Sequence, residues 1–218
     1  PHRPAFHAIM QQAAIAQFFA TLAAANPEPQ TELRYSNPYT LLVAVVLSAQ
    51  ATDASVNKAT ASLFKQADTP KKMLRLGEAG LKQHIKTIGL FNSKARHIIA
   101  LSEKLLAEHG GTVPADQTAL EALPGVGRKT ANVVRSVIFG AETIAVDTHV
   151  FRVANRTGLA PGATPLAVEV KLLRVVPPIY RKHAHHWLIL HGRYVCTARS
   201  PKCAACTVRT LCRYKDKP

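Results

Sequence analysis

Residues 123–149 read Leu123-Pro-Gly-Val-Gly-Arg-Lys-Thr-Ala-Asn-Val-Val-Arg-Ser-Val-Ile-Phe-Gly-Ala-Glu-Thr-Ile-Ala-Val-Asp-Thr-His149. The Pro-Gly-x-Gly opening predicts a tight turn feeding a helix that Gly140 closes. Pro124 presets its own φ, and Gly125 and Gly127 free the backbone of Cβ atoms, so consecutive N–H groups can point outward at the positive end of the next helix. Such a turn is an anion site, and phosphate is the anion it suits. Gly125, Val126 and Gly127 would then hold a phosphate through the backbone, without reading a base. Two ionisable residues of opposite sign follow: Lys129, just inside the helix, and Asp147, after an apolar Thr-Ile-Ala-Val approach.

The segments on either side share the helical period, and short Pro, Gly or Asn clusters separate them, which predicts an all-α chain. Asn26-Pro-Glu-Pro29 ends a first helix in which Ile15, Phe18, Phe19 and Leu22 share a face. The Ala-rich run around it resembles a secretory signal, but Gln11, Gln12 and Gln17 interrupt the run and favour an amphipathic helix. Leu41 to Leu47 is apolar all round and must be a central buried helix; it is far too short to span a membrane. Asp53 is the expected N-cap of a helix to Gln66, with short helices following at 70–76 and 78–87. Ser93 is the expected cap of a helix that ends at Gly110-Gly111, and Asp116 of a short helix to Leu123. Further helices are expected near 148–157, 165–176 and 181–193.

With 218 residues and 47% apolar content the chain can bury real cores and is not a disordered polypeptide. Its 28 Lys and Arg against 13 Asp and Glu, a net charge of +15, suit a polyanionic partner. Residues 31–141 carry 14 basic and 8 acidic side chains and the remainder 14 and 5, so both parts are basic. That distribution is expected if nucleic acid lies across a groove between them.

All four cysteines fall near the C-terminus, as Cys196, Cys203, Cys206 and Cys212, spaced C-x6-C-x2-C-x5-C. Two disulfides in so short a loop would add little to a large helical protein, which leaves a four-thiolate metal site. A single C-x2-C hook leans toward an iron-sulfur cluster over zinc, but spacing alone leaves both open. Arg199 and Lys202 stand between the first two cysteines, with Arg193, Arg209, Arg213, Lys215 and Lys217 around them. The site therefore reads either as a rigid basic finger for phosphates or as a cysteine-rich tail kept soluble by charge.

The hairpin block, Val146-Asp-Thr-His-Val-Phe-Arg152, the cysteine spacing, Leu47-Ser-Ala-Gln-Ala-Thr-Asp53, Thr87-Ile-Gly-Leu-Phe-Asn-Ser-Lys94 and His185-His-Trp-Leu-Ile-Leu-His-Gly-Arg193 occur in one order. Together they resemble the endonuclease III family, bacterial bifunctional DNA glycosylases and AP lyases of the helix-hairpin-helix superfamily. The resemblance covers about Asn26 to Lys217. It implies a two-lobed fold, with a six-helix domain at residues 31–141 and a domain built from 1–30 plus 142–218. The second lobe would hold a 4Fe-4S cluster on the four cysteines. It also implies a cytoplasmic bacterial monomer acting on double-stranded DNA that carries damaged pyrimidines or abasic sites, with Lys129 and Asp147 facing each other across the cleft.

By the same resemblance Lys129 is the nucleophile. A lysine amine can attack C1′ of the sugar and then hold it as an imine, which acidifies the C2′ proton and permits β-elimination of the 3′ phosphate. Asp147 would stabilise the cationic sugar as the base departs, a role compatible with capping the helix that follows it. Gln50 and Leu90 match the positions from which the family inserts side chains into DNA. His149 reads as structural support. Oxidised pyrimidines are the implied lesions. The rival within the superfamily is an adenine-specific mismatch glycosylase, which lacks the lysine and places a glutamate in the segment corresponding to 39–52, where this chain has no acid. A rival of another class is a non-catalytic helix-hairpin-helix DNA-binding module, which would need neither Lys129 nor Asp147.

Overall fold

A computed structural model describes residues 9–217. Among them it shows ten α-helices, one short 3-10 turn and no strand. The described residues divide into two compact units, one of residues 31–140 and the other of residues 9–30 together with 141–217.

In the first unit, α2 (Pro38–Leu47) is the central post, with every residue from Tyr39 to Leu47 buried. Its start is fixed locally: the Asn37 side chain accepts from the Thr40 N–H while the Thr40 hydroxyl accepts from the Asn37 N–H, and Pro38 occupies the first turn. Helices α3 (Asp53–Gln66), α5 (Phe91–His109) and α7 (Arg128–Phe139) pack against it, α4 (Pro70–Ile85) packs on α3 and α5, and α6 (Gln117–Glu121) on α7. Helix α4 is in effect two short helices, because Gly77 at φ 71° and ψ 170° breaks it where the sequence predicts a division.

Two capping expectations are corrected. Thr52, not Asp53, caps α3: its hydroxyl accepts from the Ser55 N–H, and Asp53 moves into the first turn, where its charge suits the helix dipole. Ser93 does not cap α5. Leu90 occupies the cap position in a left-handed conformation, and the Ser93 hydroxyl donates back to its carbonyl at 3.0 Å.

The second unit packs α1 (Gln12–Ala25) and α8 (Thr148–Thr157) against α10 (Pro178–Tyr194), with α9 (Pro165–Val175) against α8. The α1 face of Ile15, Phe18, Phe19 and Leu22 is buried, as its spacing predicts. Phe19 stacks on Tyr180 at 6.1 Å between ring centroids and lies 6.3 Å from Trp187. The Trp187 indole N–H donates to the Asn26 carbonyl at 2.7 Å and so fixes the end of α1. Each such large apolar side chain contributes about 1.5–3 kcal/mol by burial, so this face holds α1 without help from its caps, neither of which uses a side chain. Helix α10 begins at Pro178, earlier than expected, because a proline at the first helical position costs no hydrogen bond. Among the described residues no helix is long and apolar enough to cross a membrane.

Candidate functional site

In the first unit, α6, a turn and α7 form a helix-hairpin-helix. Asp116 caps α6 by accepting from the Ala119 N–H at 2.8 Å, and the turn closes with Val126 N–H to Leu123 C=O at 3.0 Å. Gly125 takes φ 78°, where a Cβ would be strained and would also stand 2.8 Å from His97 Cβ. Val126 is buried as the anchor of the turn, whereas Gly125 and Gly127 are exposed. Gly127 caps α7 without a side chain, so the first turn of α7 presents its positive end with no side-chain cap. Val126, by contrast, spends its N–H on Leu123 inside the turn and, contrary to the expectation from the sequence, does not offer it to a phosphate. Lys129 is exposed at the second position of that helix.

Gln50 and Leu90 are exposed in the same unit, and both have left-handed backbone, at φ 55° and φ 61°. They are the only non-glycine residues with positive φ among those described. Backbone strain of this kind collects where a side chain must be held in place for use.

Asp147 lies in the second unit. It caps α8, with its Oδ1 accepting from the N–H of His149 at 2.9 Å and of Val150 at 2.8 Å. Two amide donors fix a half-buried carboxylate at a helix start, where negative charge is favoured. His149 lies beside it: its Nδ1 accepts from Arg152 Nη2 at 3.2 Å, and Arg152 also donates to the carbonyls of Gly192 at 2.7 Å and Cys196 at 3.0 Å. Arg152 thereby ties α8 to the end of α10 and to the first cysteine.

Cys196, Cys203, Cys206 and Cys212 are all free thiols and line one pocket, with about 360 Å³ of atom-free space that is partly open to solvent. Three of the four sulfurs have a nitrogen beside them. Arg156 Nη1 donates to Cys196 Sγ at 3.6 Å, the Tyr214 N–H donates to Cys212 Sγ at 3.4 Å, and His191 Nε2 lies 3.7 Å from Cys206 Sγ. Burial lowers the pKa of His191 to about 4 and pushes the thiols of Cys206 and Cys212 up, with the neighbouring cysteines adding to the rise. Filling the pocket with a metal group must therefore displace protons. Arg156 also donates to the carbonyls of Thr197 and Ala198 and lies 4.9 Å over the Tyr214 ring. Arg199 and Lys202 are exposed on the segment between the first two cysteines.

Two of these residues had no signal in the sequence: Arg156 and Tyr214 belong to helical or tail stretches whose composition does not separate them from surface cations and core aromatics. His191 lies in the His185 to Arg193 block that carries the resemblance, but nothing there marks it as a neighbour of the cysteines.

A helix-hairpin-helix with an exposed lysine just inside its second helix, together with a pocket lined by four thiols, is the arrangement of a helix-hairpin-helix DNA repair protein. Residues 43–178 match the HhH-GPD superfamily of base excision DNA repair proteins, to which the chain belongs. Within it the chain is a member of the endonuclease III family: it is 58% identical to endonuclease III of Escherichia coli (strain K12) over 208 residues, 95% of this chain and 99% of that one. It is 61% identical to endonuclease III of Treponema pallidum (strain Nichols), over 89% of this chain and 92% of the relative. Its fold is similar to that of a trapped endonuclease III–DNA covalent intermediate, with a TM-score of 0.88 and 44% identity over 94% of this chain and 97% of the other. A thermostable thymine-DNA glycosylase is similar at a TM-score of 0.84 and 25% identity, over 94% and 98% of the two chains.

Proposed function

We propose that this protein is a base excision repair enzyme that removes oxidised pyrimidines from duplex DNA and cleaves the abasic site by β-elimination. The observation that carries the reading is Lys129, an exposed amine in the first turn of α7 directly behind the hairpin. A DNA strand held at the hairpin by one phosphate presents the neighbouring sugar to that amine.

The Lys129 Nζ lone pair attacks C1′ of the flipped nucleotide as the base leaves with the glycosidic electron pair and takes up a proton. Asp147, fixed by its two amide donors, offsets the positive charge that grows on the sugar. Ring opening gives an imine between Nζ and C1′. Loss of a C2′ proton then sends its electron pair toward C3′, expelling the 3′ phosphate and nicking the strand. Water hydrolyses the imine and returns the amine. Gln50 and Leu90 fill the gap left by the extruded nucleotide, the amide facing the orphaned base and the apolar side chain wedging the step.

We assign a 4Fe-4S cluster to Cys196, Cys203, Cys206 and Cys212. Four thiols around one pocket, three with a nitrogen neighbour, suit thiolates that bind iron and accept hydrogen bonds. When bound, a cluster would cross-link the four cysteines, and the segment between the first two would carry Arg199 and Lys202 at the surface toward phosphates. The enzyme acts as a monomer in the bacterial cytoplasm.

The adenine-specific alternative has no acid to use in α2 or the turn after it, and the purely DNA-binding alternative leaves Lys129 and the fixed Asp147 without work. A panel of duplexes with one lesion each, scored with and without alkali, tests the reading. Cleavage at an oxidised pyrimidine without alkali is expected. Cleavage only after alkali, at an adenine mispair, would replace this reading with the mismatch enzyme.

A further inference from the structure

The segments that carry the two left-handed residues, Gln50 and Leu90, are linked through one residue, Lys94. Lys94 lies in the first turn of α5, where its N–H donates to the Leu90 carbonyl at 3.1 Å. Its side chain is buried, at 4% exposure, and Nζ donates to the Leu47 carbonyl at 2.9 Å. Leu47 is the last residue of α2, so its carbonyl is among those the helix cannot pair internally, and it sits at the negative end of the helix dipole. Gln50 follows three residues later, in the turn that leaves α2. A single lysine thus grips the base of one loop with its ammonium and the base of the other with its backbone.

The same helix reaches the hairpin. His97, one turn beyond Lys94, fills the space beside Gly125, where an added Cβ would come within 2.8 Å of it. The first two turns of α5 therefore meet the end of α2 that leads into the Gln50 turn, the Leu90 turn and the hairpin, the three places in this unit assigned to DNA.

We propose that Lys94 is a positioning residue that sets the spacing of the two side chains entering the DNA, and so governs extrusion of the damaged nucleotide rather than the chemistry at its sugar. The proposal rests on the reading of Gln50 and Leu90 as the inserted pair. A lysine kept only to finish α2 would affect folding and nothing else. A lysine that fixes two wedges affects duplex substrates, where the stack must be opened, and spares substrates that have no stack.

The test compares Lys94→Met, Lys94→Arg, Gln50→Ala, Leu90→Ala and the Lys94→Met/Gln50→Ala pair, with enzyme in excess. One substrate is a lesion duplex carrying 2-aminopurine beside the lesion, whose fluorescence reports extrusion. The other is a single-stranded abasic oligonucleotide, scored by borohydride trapping. Lys94→Met is expected to slow extrusion at least tenfold while leaving single-strand trapping within twofold. Lys94→Arg, which keeps a cationic donor, recovers part of the loss. In the Gln50→Ala background Lys94→Met costs less than a further twofold, because residues acting as a unit are not additive. Equal losses on both substrates, no loss on the duplex, or a full multiplicative loss in the double variant would overturn the proposal. If Lys94→Met does not fold, Lys94→Arg decides: slowed extrusion with normal single-strand trapping supports the role, and wild-type behaviour on both refutes it. If Gln50→Ala and Leu90→Ala both extrude at the wild-type rate, the reading of the inserted pair has failed, a result separate from any behaviour of Lys94.

Discussion

The two hairpin glycines make opposite demands, and replacing each by alanine separates folding from binding. Gly125 has φ 78°, and a Cβ there would lie 2.8 Å from His97 Cβ and 3.1 Å from the imidazole Cγ. Left-handed backbone costs an L-residue about 1–2 kcal/mol, and forcing extra volume into a packed place costs about 1–3 kcal/mol more. Gly125→Ala should therefore lose roughly 2–5 kcal/mol, seen as a fall in Tm of roughly 4–20 °C for a chain of this size. Gly127 has φ −99°, and a Cβ there meets nothing within 4 Å. Two small effects oppose each other at that position: alanine restricts the unfolded chain, gaining about 0.4–1 kcal/mol, but is a poorer N-cap by a similar amount. Gly127→Ala should leave Tm within a few degrees. What it changes is the approach of a phosphate to the amides at the start of α7. Losing one charge-assisted hydrogen bond of about 1.5–3 kcal/mol weakens binding roughly tenfold to a hundredfold. Circular dichroism melting and fluorescence anisotropy with a duplex carrying an abasic analogue read the two effects independently. A Gly127→Ala protein that binds like wild type would refute phosphate capture by the hairpin backbone. A Gly125→Ala protein with unchanged Tm would refute the packing of the turn against His97.

Asp147 separates capping from catalysis: Asp147→Asn keeps a cap and should hold Tm nearly unchanged while glycosylase activity falls by at least a hundredfold, whereas Asp147→Ala should lose activity and about 1 kcal/mol of stability as well. Thermal melts beside single-turnover cleavage check both, and full activity in Asp147→Asn would remove the carboxylate from the mechanism. The purified protein should be brown, with iron and sulfide near four each per chain (about four is the stoichiometry of a cubane cluster), and Cys203→Ser should lose both; a colourless protein that holds one zinc would refute the cluster. Neutralising Arg199 and Lys202 together should lower the slope of log K against log salt by up to about 2 units, as two released counterions would. An unchanged slope would make these residues solubilising charges.

Elements governed by local chemistry were legible in the sequence. The face of Ile15, Phe18, Phe19 and Leu22, the all-round burial of Leu41 to Leu47 and the break at Gly77 follow from period, composition and a glycine, and the structure has all three. Caps were less legible where two competent residues adjoin. Thr52 and Asp53 are both good N-caps, and only the path of the chain decides between them. Ser93 failed as a cap for a different reason. Leu90 is held in a left-handed conformation that no leucine adopts by preference, so local propensity pointed elsewhere. That strain, and the burial of Lys94 that accompanies it, are tertiary facts: a lysine in an amphipathic helix looks like a surface lysine until its partner carbonyl is located. The thiol pocket divides in the same way. Its four cysteines stand out by clustering, while the nitrogens beside the sulfurs come from α8, α10 and the tail, too far apart in sequence to form a motif.

The central claim is that Lys129 forms a covalent imine with the sugar. Borohydride reduction during reaction with an abasic-site duplex measures this directly, because it turns that imine into a stable amine cross-link. The account predicts a protein–DNA adduct that survives denaturing electrophoresis, maps to Lys129 by peptide mass analysis, and vanishes in Lys129→Gln while that variant still binds the duplex. An adduct of normal yield in Lys129→Gln, or its absence in the wild-type protein, would contradict it.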